Sequence, residues 1–136
     1  MIQRYLSKLS GPLLDRIDLH IEVPAVPYKE LRGHDHGATS AEMRARVCAA
    51  RQLQQQRGFL NAHIPSNALR RLCALDDAGE RTLEMAVRRL GLSARAHDRV
   101  LKVSRTIADL DRSEVVSSKH LSEAVQYRSL DRNYWQ

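Results

Sequence analysis

Hydrophobic positions after residue 38 follow the spacing of α-helices. The two clearest stripes contain Leu83, Ala86, Val87 and Leu90 in one segment and Val100, Val103, Ser104, Ile107, Ala108 and Leu110 in the next. Residues three and four positions apart share one face of a helix, so each stripe predicts a helix that buries that face. Two further helices are predicted by shorter stripes: Leu69, Leu72 and Cys73 after Pro65-Ser66, and Leu121, Ala124 and Val125 after a start near Ser117–Ser118.

Residues that start and stop helices separate these segments. Thr39 and Glu42 form a capping-box pattern at the start of a helix that runs to about residue 57, where Gly58 suits the left-handed end of a helix. Gly91 ends the helix of the first clear stripe, and Ser93 begins the longest helix. Because the connections are short, the sequence predicts a mainly α fold, a bundle of about five helices.

The N-terminal residues have a different pattern. A short helix is predicted over residues 2–9, with Ile2, Leu6 and Leu9 on one side, and Pro12 suits the first turn of a second helix. From residue 17 to residue 23, hydrophobic and polar positions alternate, which predicts a half-buried β-strand.

That strand has no predicted partner. A single strand cannot satisfy its own backbone hydrogen bonds, and no second strand is evident in the sequence. We therefore expect an orphan strand whose sheet lies outside this chain, or one that pairs with its own copy in a dimer. Without a sheet, residues 1–27 are expected to order poorly or to self-associate.

The chain divides into three predicted parts. Residues 1–27 hold the short helices and the strand, residues 28–38 form a polar linker, and residues 39–136 form the helical domain. His34 and His36 lie in the linker at a spacing that suits metal ligation, but no further ligands accompany them. We predict no metal site.

Composition supports a helical core and limits the class of protein. Hydrophobic residues make up 43% of the chain but aromatic residues only 4%, which favours packed helices over a β-sandwich. No apolar run approaches the ~18 residues that cross a bilayer, so no membrane partner is predicted. Cys48 and Cys73 belong to no metal-binding spacing, and we expect two buried thiols in a cytoplasmic protein.

The net charge of +6 comes from two arginine-rich blocks. The first contains Arg44, Arg46, Arg51, Arg57, Arg70 and Arg71, and the second contains Arg88, Arg89, Arg95, Arg99, Lys102 and Arg105. Because arginine suits phosphate recognition, this pattern is compatible with a polyanionic partner. A basic face that is simply solvated is equally compatible with it.

Motifs of complete enzymes are missing. The sequence contains no G-x-x-x-x-G-K-[ST] phosphate loop, no G-x-G-x-x-G, no H-E-x-x-H and no G-x-S-x-G. We therefore predict that this chain does not hydrolyse ATP by itself.

Three stretches resemble one family. They are LSGPLLDRIDLHIEV at residues 9–23, GLSARAHDRVLKVSRTIADL at residues 91–110 and SSKHLSEAVQYR at residues 117–128. Together they resemble the C-terminal part of magnesium-chelatase-like AAA+ ATPases of the competence-associated ComM/YifB type. The resemblance implies that residues 1–27 are the tail of the nucleotide-binding core and residues 39–136 its helical lid.

The resemblance implies a role for Arg16. Its position matches the arginine finger, which would reach into the ATP bound by a neighbouring subunit and stabilise charge on the transferring phosphoryl group. The alternative is a surface arginine paired with Asp15 or Asp18.

The resemblance also implies a phosphate-binding role for Arg95, which matches the second sensor and would touch the γ-phosphate in its own subunit. Arg95 lies two residues after Ser93, where the helix dipole favours an anion. Arg99 and Lys102 share its face. Because like charges one turn apart repel weakly, this cluster favours an anion site that includes Arg95 and Arg99.

The implied cofactor is ATP with Mg²⁺, bound mainly by a phosphate loop, an acidic residue and a first sensor upstream of Met1. The implied partners are identical subunits in a ring and DNA remodelled during natural transformation, with no porphyrin chemistry. The alternative function is a stand-alone basic helical module that binds nucleic acid, although no helix-turn-helix signature is clear.

Overall fold

The computed structural model describes residues 4–5, 7–34 and 37–128, and the fold is mainly α. Two short helices come first, α1 (Gly11–Arg16) and α2 (Tyr28–Leu31). Five helices follow: α3 (Ser40–Gln56), α4 (Ser66–Leu72), α5 (Asp77–Leu90), α6 (Ala94–Leu110) and α7 (Ser118–Gln126), with a 3₁₀ turn at Asn61–His63 between α3 and α4. The predicted mainly α bundle is confirmed.

The helices begin and end at the residues that the sequence indicated. The Glu42 backbone N–H donates to Thr39 Oγ1 at 3.2 Å, and the Thr39 N–H donates to Glu42 Oε2 at 2.7 Å, which completes the capping box of α3. The hydrogen bonds that the Thr39 backbone N–H and hydroxyl donate to the Glu42 carboxylate lower its pKa. Gly91 ends α5 with a φ of 62°, in the left-handed region that favours glycine.

Helix α6 is the centre of the bundle. It packs against α1, α3, α4 and α7 and the 3₁₀ turn. Ala96 and Ala108 are fully buried on α6, and their small side chains let neighbouring elements approach closely. Val100 of α6 and Leu121 of α7 have larger side chains than these alanines and are also buried in the core. Burial of such side chains supplies most of the stability of a small helical domain.

Only part of α3 packs on the bundle. Residues 40–48 at its start are exposed, whereas Ala50 and Gln54 near its end are buried. The end of α3 is joined to α6 through Asp109, which is 1% exposed and accepts hydrogen bonds from Arg57, Asn61 and Arg105. The exposed start of α3 therefore projects from the bundle.

The predicted orphan strand is not seen. No β-strand occurs within residues 4–5, 7–34 and 37–128, and Ile21 and Val23 are 68% and 82% exposed. The alternation of residues 17–23 specifies two faces but supplies no ladder partner, so the segment is not a strand here. One backbone hydrogen bond attaches this segment to the helical domain: the His20 N–H donates to the Tyr127 carbonyl at 2.7 Å.

Part of residues 1–27, for which we expected poor ordering or self-association, packs on the helical domain. Leu14 and His20 are buried against the helical domain. Residues 4–5 are helical and residues 7–9 form a turn and a bend, while Ile2 and Leu6 of the predicted first helix lie outside the described residues.

The predicted linker contains one element of its own, helix α2. His34 is described and exposed, whereas His36 lies outside the described residues, as do the last eight predicted residues of the lid, 129–136. Within the described ranges no three His, Cys, Asp or Glu side chains form a cluster that could hold a metal ion. No helix in these ranges is long and apolar enough to cross a membrane.

The two cysteines differ, contrary to the expectation that both are buried. Cys48 is exposed on α3, whereas Cys73 is 3% exposed and burial raises the pKa of its thiol to about 11.

Because the thiolate is the reactive form, we expect iodoacetamide at pH 8 to modify Cys48 and leave Cys73 intact in the folded protein. Peptide mass analysis checks this result. Equal labelling of both thiols before denaturation would contradict it.

Candidate functional site

The start of α6 carries a row of basic side chains. Ser93 caps the helix, its Oγ accepting a hydrogen bond from the Ala96 backbone N–H at 3.1 Å. Arg95, Arg99 and Lys102 follow at helical spacing and therefore lie on one side of the helix. The free N–H groups and the dipole at this end of α6 add to their positive potential.

These side chains line one surface pocket of about 340 Å³, here called the basic pocket. Its lining residues are Asp18, Ala62, Arg95, Asp98, Arg99 and Lys102. Lys102 Nζ donates to the Ala62 carbonyl at 3.2 Å, and Asp98 Oδ1 lies 3.0 Å from His97 Nδ1. The structure thus brings Arg95 and Arg99, both predicted phosphate ligands, to the same pocket.

Asp18 lies at the edge of the basic pocket and forms an ion pair with Arg99. Arg99 Nε is buried and has no hydrogen-bond partner in the described part of the chain. Three cations and two carboxylates line the pocket, so one positive charge remains in excess. An anion that enters the pocket would meet Arg95 directly and would compete with Asp18 for Arg99.

Arg16 is the last residue of α1 and is exposed. Its side chain forms no hydrogen bond or ion pair with any described residue. No hydrogen bond or ion pair joins it to Asp15 or Asp18; Asp15 instead accepts from Ser93 Oγ at 3.0 Å, and Asp18 pairs with Arg99. Among the described residues, the guanidinium of Arg16 therefore has no partner.

Residues 10–20, here called the α1 segment, are docked at the start of α6. Leu14 is the buried anchor of α1, and Arg128 at the end of α7 donates a hydrogen bond to the Ile17 carbonyl. Arg128 Nη2 also lies 3.9 Å from Asp15 Oδ1. These contacts place Arg16 beside the helix that carries Arg95, although the two arginines do not line the same pocket.

Sequence reasoning did not find the roles of Asp15, Asp18 and Arg128. Their partners lie 78, 81 and 111 residues away in the sequence, so no local spacing reports these contacts. The one available signal was the acidic residue on each side of Arg16, which pointed to a local pair that the structure does not form.

Comparisons with known proteins give one consistent family. The model of "Magnesium chelatase, subunit ChlI C-terminal" matches residues 37–128, and that of "Magnesium chelatase, subunit ChlI" matches residues 1–31. The chain is 48% identical to "Competence protein ComM" of Haemophilus influenzae over 133 residues, which is 96% of this chain and 26% of the relative.

A second relative agrees. The chain is 47% identical to "Uncharacterized protein YifB" of Escherichia coli over 131 residues, which is 95% of this chain and 26% of the relative. The chain thus spans about a quarter of the length of the curated relatives that it matches. Since the C-terminal family model covers more than half of the residues, the chain belongs to the magnesium chelatase ChlI family, whose C-terminal domain it carries.

Proposed function

We propose that this chain is the helical lid and arginine-finger portion of a ring-forming, magnesium-chelatase-like AAA+ ATPase. In this proposal residues 1–27 end the nucleotide-binding core, residues 28–38 link it to the lid, and residues 39–136 form the lid. One observation carries the proposal. Arg16, which forms no hydrogen bond or ion pair with the described residues, projects from a segment that is docked on α6 next to the pocket of Arg95 and Arg99.

The basic pocket fits the phosphates of ATP better than it fits the metal. Guanidinium groups bind phosphate oxygens through planar pairs of N–H donors, and Arg95 and Arg99 supply two such groups. Mg²⁺ prefers oxygen ligands from carboxylates and phosphates, and no cluster of three acidic or histidine side chains occurs in the described residues. In this proposal the metal and most of the nucleotide are held by residues outside this chain.

Arg16 and the basic pocket have different tasks in this mechanism. Bound ATP with Mg²⁺ supplies the phosphoryl group whose charge rises during hydrolysis. Arg16 stabilises that charge across a subunit interface, in the nucleotide site of a neighbour. Arg95 and Arg99 bind phosphate oxygens and thereby make the position of α6 depend on whether a terminal phosphate is present.

Two observations support a proposed action on DNA. One relative, "Competence protein ComM", is named for competence, the uptake of DNA. The exposed start of α3 presents Arg44 and Arg46, and Arg51 follows one to two turns later. These residues suit contact with a phosphate backbone. We therefore propose a cytoplasmic motor that remodels DNA during natural transformation and performs no porphyrin chemistry.

The pocket is tested by nucleotide affinity in the full-length protein. Arg95→Ala and Arg99→Ala are each expected to weaken ATP binding by ~10- to 100-fold, because each removes charge-assisted hydrogen bonds to phosphate. ADP binding should weaken less. The control is Arg89→Ala, an exposed arginine in the last turn of α5, which should bind ATP like the wild type. Fluorescence anisotropy of a labelled nucleotide measures these affinities.

The alternative, a stand-alone nucleic-acid module, rests on the exposed basic start of α3. If it is correct, both pocket variants keep their ATP affinity. The triple variant Arg44→Ala, Arg46→Ala and Arg51→Ala of this chain alone would then lose salt-sensitive DNA binding. That combination of results would replace the ATPase-lid proposal.

A further inference from the structure

The residues on both sides of Arg16 are bonded to the helical domain, while Arg16 itself has no hydrogen bond or ion pair within residues 4–5, 7–34 and 37–128. Before it, Asp15 Oδ2 accepts a hydrogen bond from Ser93 Oγ at 3.0 Å. After it, the Ile17 carbonyl accepts from Arg128 and Asp18 pairs with Arg99. Three contacts thus fix the backbone around an exposed arginine side chain that no other described residue pairs with.

The contact of Asp15 is the one most closely linked to the start of α6. The hydroxyl of Ser93 donates its hydrogen to Asp15 and accepts from the Ala96 backbone N–H at 3.1 Å. Because a hydroxyl can do both at once, the cap of α6 and the attachment of α1 share one atom. Arg128, which is 1% exposed, adds a positive charge 3.9 Å from Asp15.

We propose that Asp15 is a positioning residue for Arg16, and that it makes the arginine follow the start of α6. This inference rests on the proposed function, since it requires that Arg16 act as an arginine finger. It adds a physical connection between two sites. The helix whose start carries the phosphate-binding arginines also holds, through Ser93 and Asp15, the backbone from which Arg16 reaches the neighbouring subunit.

The connection has a consequence for the ring. A phosphate that draws Arg95 and Arg99 moves or fixes the start of α6, and Ser93 is part of that start. Through Asp15 the same movement reaches Arg16, which lies next to it in the sequence. The nucleotide state of the basic pocket therefore determines where the finger points, and the coupling path consists of side chains in direct contact.

The test is a double-mutant cycle on ATP turnover in the full-length protein. Asp15→Ala is expected to lower kcat ~10- to 100-fold with little change in KM, because a small displacement of a catalytic group has effects of that size. The double variant Asp15→Ala with Arg16→Ala should be no slower than Arg16→Ala alone. Glu22→Ala, which removes another acid from the same N-terminal region, is the control and should turn over ATP normally.

A conservative variant separates positioning from folding. Asp15→Asn keeps an oxygen that can accept from Ser93, so it should retain most of the kcat that Asp15→Ala loses. Melting temperatures should stay within a few degrees of the wild type for both, because Asp15 is half-buried at the edge of the bundle. If Asp15→Asn loses as much kcat as Asp15→Ala, the hydrogen bond to Ser93 does not position the finger.

Two further results would overturn the inference and can be told apart. If Arg16→Ala is slow but Asp15→Ala is as fast as the wild type, or if the two losses multiply in the double variant, Asp15 does not act through Arg16. If Arg16→Ala itself keeps wild-type turnover, the finger assignment fails and the positioning role fails with it.

Discussion

Replacement of Arg16 by alanine is expected to lower the kcat of the full-length ATPase on the order of 10³-fold or more. An arginine finger stabilises negative charge that spreads over the phosphoryl oxygens only in the transition state, so its loss affects kcat far more than KM. Arg16 is exposed and forms no polar contact with any described residue, so its removal should leave the stability of the helical domain unchanged. Steady-state phosphate release measures the loss.

A mixing experiment decides whether Arg16 acts between subunits. One subunit type carries Arg16→Ala, and the other carries an inactivated phosphate loop but an intact Arg16. Each type alone should be nearly inactive, whereas mixed rings should regain turnover because some sites receive an intact loop from one subunit and Arg16 from its neighbour. Wild-type turnover by Arg16→Ala alone would remove the finger assignment. If Arg16→Ala loses turnover and mixing does not restore it, Arg16 acts within its own subunit.

The same design applies to Arg95. If Arg95→Ala is complemented by the phosphate-loop variant, the arginine contacts the nucleotide of a neighbour; if it is not, the arginine contacts the nucleotide of its own subunit, as its resemblance to the second sensor implies. The structure makes this comparison informative, because Arg95 lies on α6 itself, whereas Arg16 lies on α1, whose Asp15 contacts Ser93 at the start of α6.

The helices could be predicted from the sequence because their signals are local. The capping box of Thr39 and Glu42, the left-handed Gly91 and the cap at Ser93 each act within a few residues. Stripes such as that of Leu83 and Leu90 report burial directly, since one face of a helix must meet the core. Such signals do not depend on the rest of the fold.

The N-terminal region was harder to predict because its structure depends on distant partners. The alternation in residues 17–23 predicted a half-buried strand, but a strand requires a neighbour to complete its hydrogen bonds. The described residues supply none, and Ile21 and Val23 are exposed whereas the polar His20 is buried. Likewise, the acidic residues beside Arg16 suggested local ion pairs. Their actual partners, Ser93 and Arg99, lie about 80 residues away, and only the packing of α1 on α6 brings them together.

Removal of the Asp109 carboxylate is expected to give the largest loss of stability in the helical domain. Asp109 is 1% exposed; its Oδ2 accepts from Asn61 Nδ2 at 2.8 Å and from Arg57, and its Oδ1 accepts from Arg105 Nε at 3.2 Å. Arg105 is itself 3% exposed. Asp109→Ala would leave the buried Arg105 charge without its counter-ion, and breaking one side of a buried ion pair typically costs about 3–5 kcal/mol.

Urea unfolding of this chain at neutral pH measures the effect. The matched control is Glu84→Gln, which breaks an exposed ion pair with Arg88 on the surface of α5 and should cost less than about 1 kcal/mol. If the free energy of unfolding of Asp109→Ala lies within about 1 kcal/mol of the wild-type value, the loss is no larger than that of an exposed ion pair. Asn61, Arg57 and Arg105 then find other partners.

The position of Asp109 separates stability from the proposed function. Asp109 lies fourteen positions after Arg95 on α6, a distance of roughly 21 Å along the helix at its usual rise. Asp109 holds α6 to the end of α3, whereas Ser93 holds the opposite end of α6 to α1. At a temperature where Asp109→Ala is still folded, its phosphate affinity should therefore match the wild type. If Asp109→Ala loses phosphate affinity as well as stability, the basic pocket depends on α6 being fixed along its whole length.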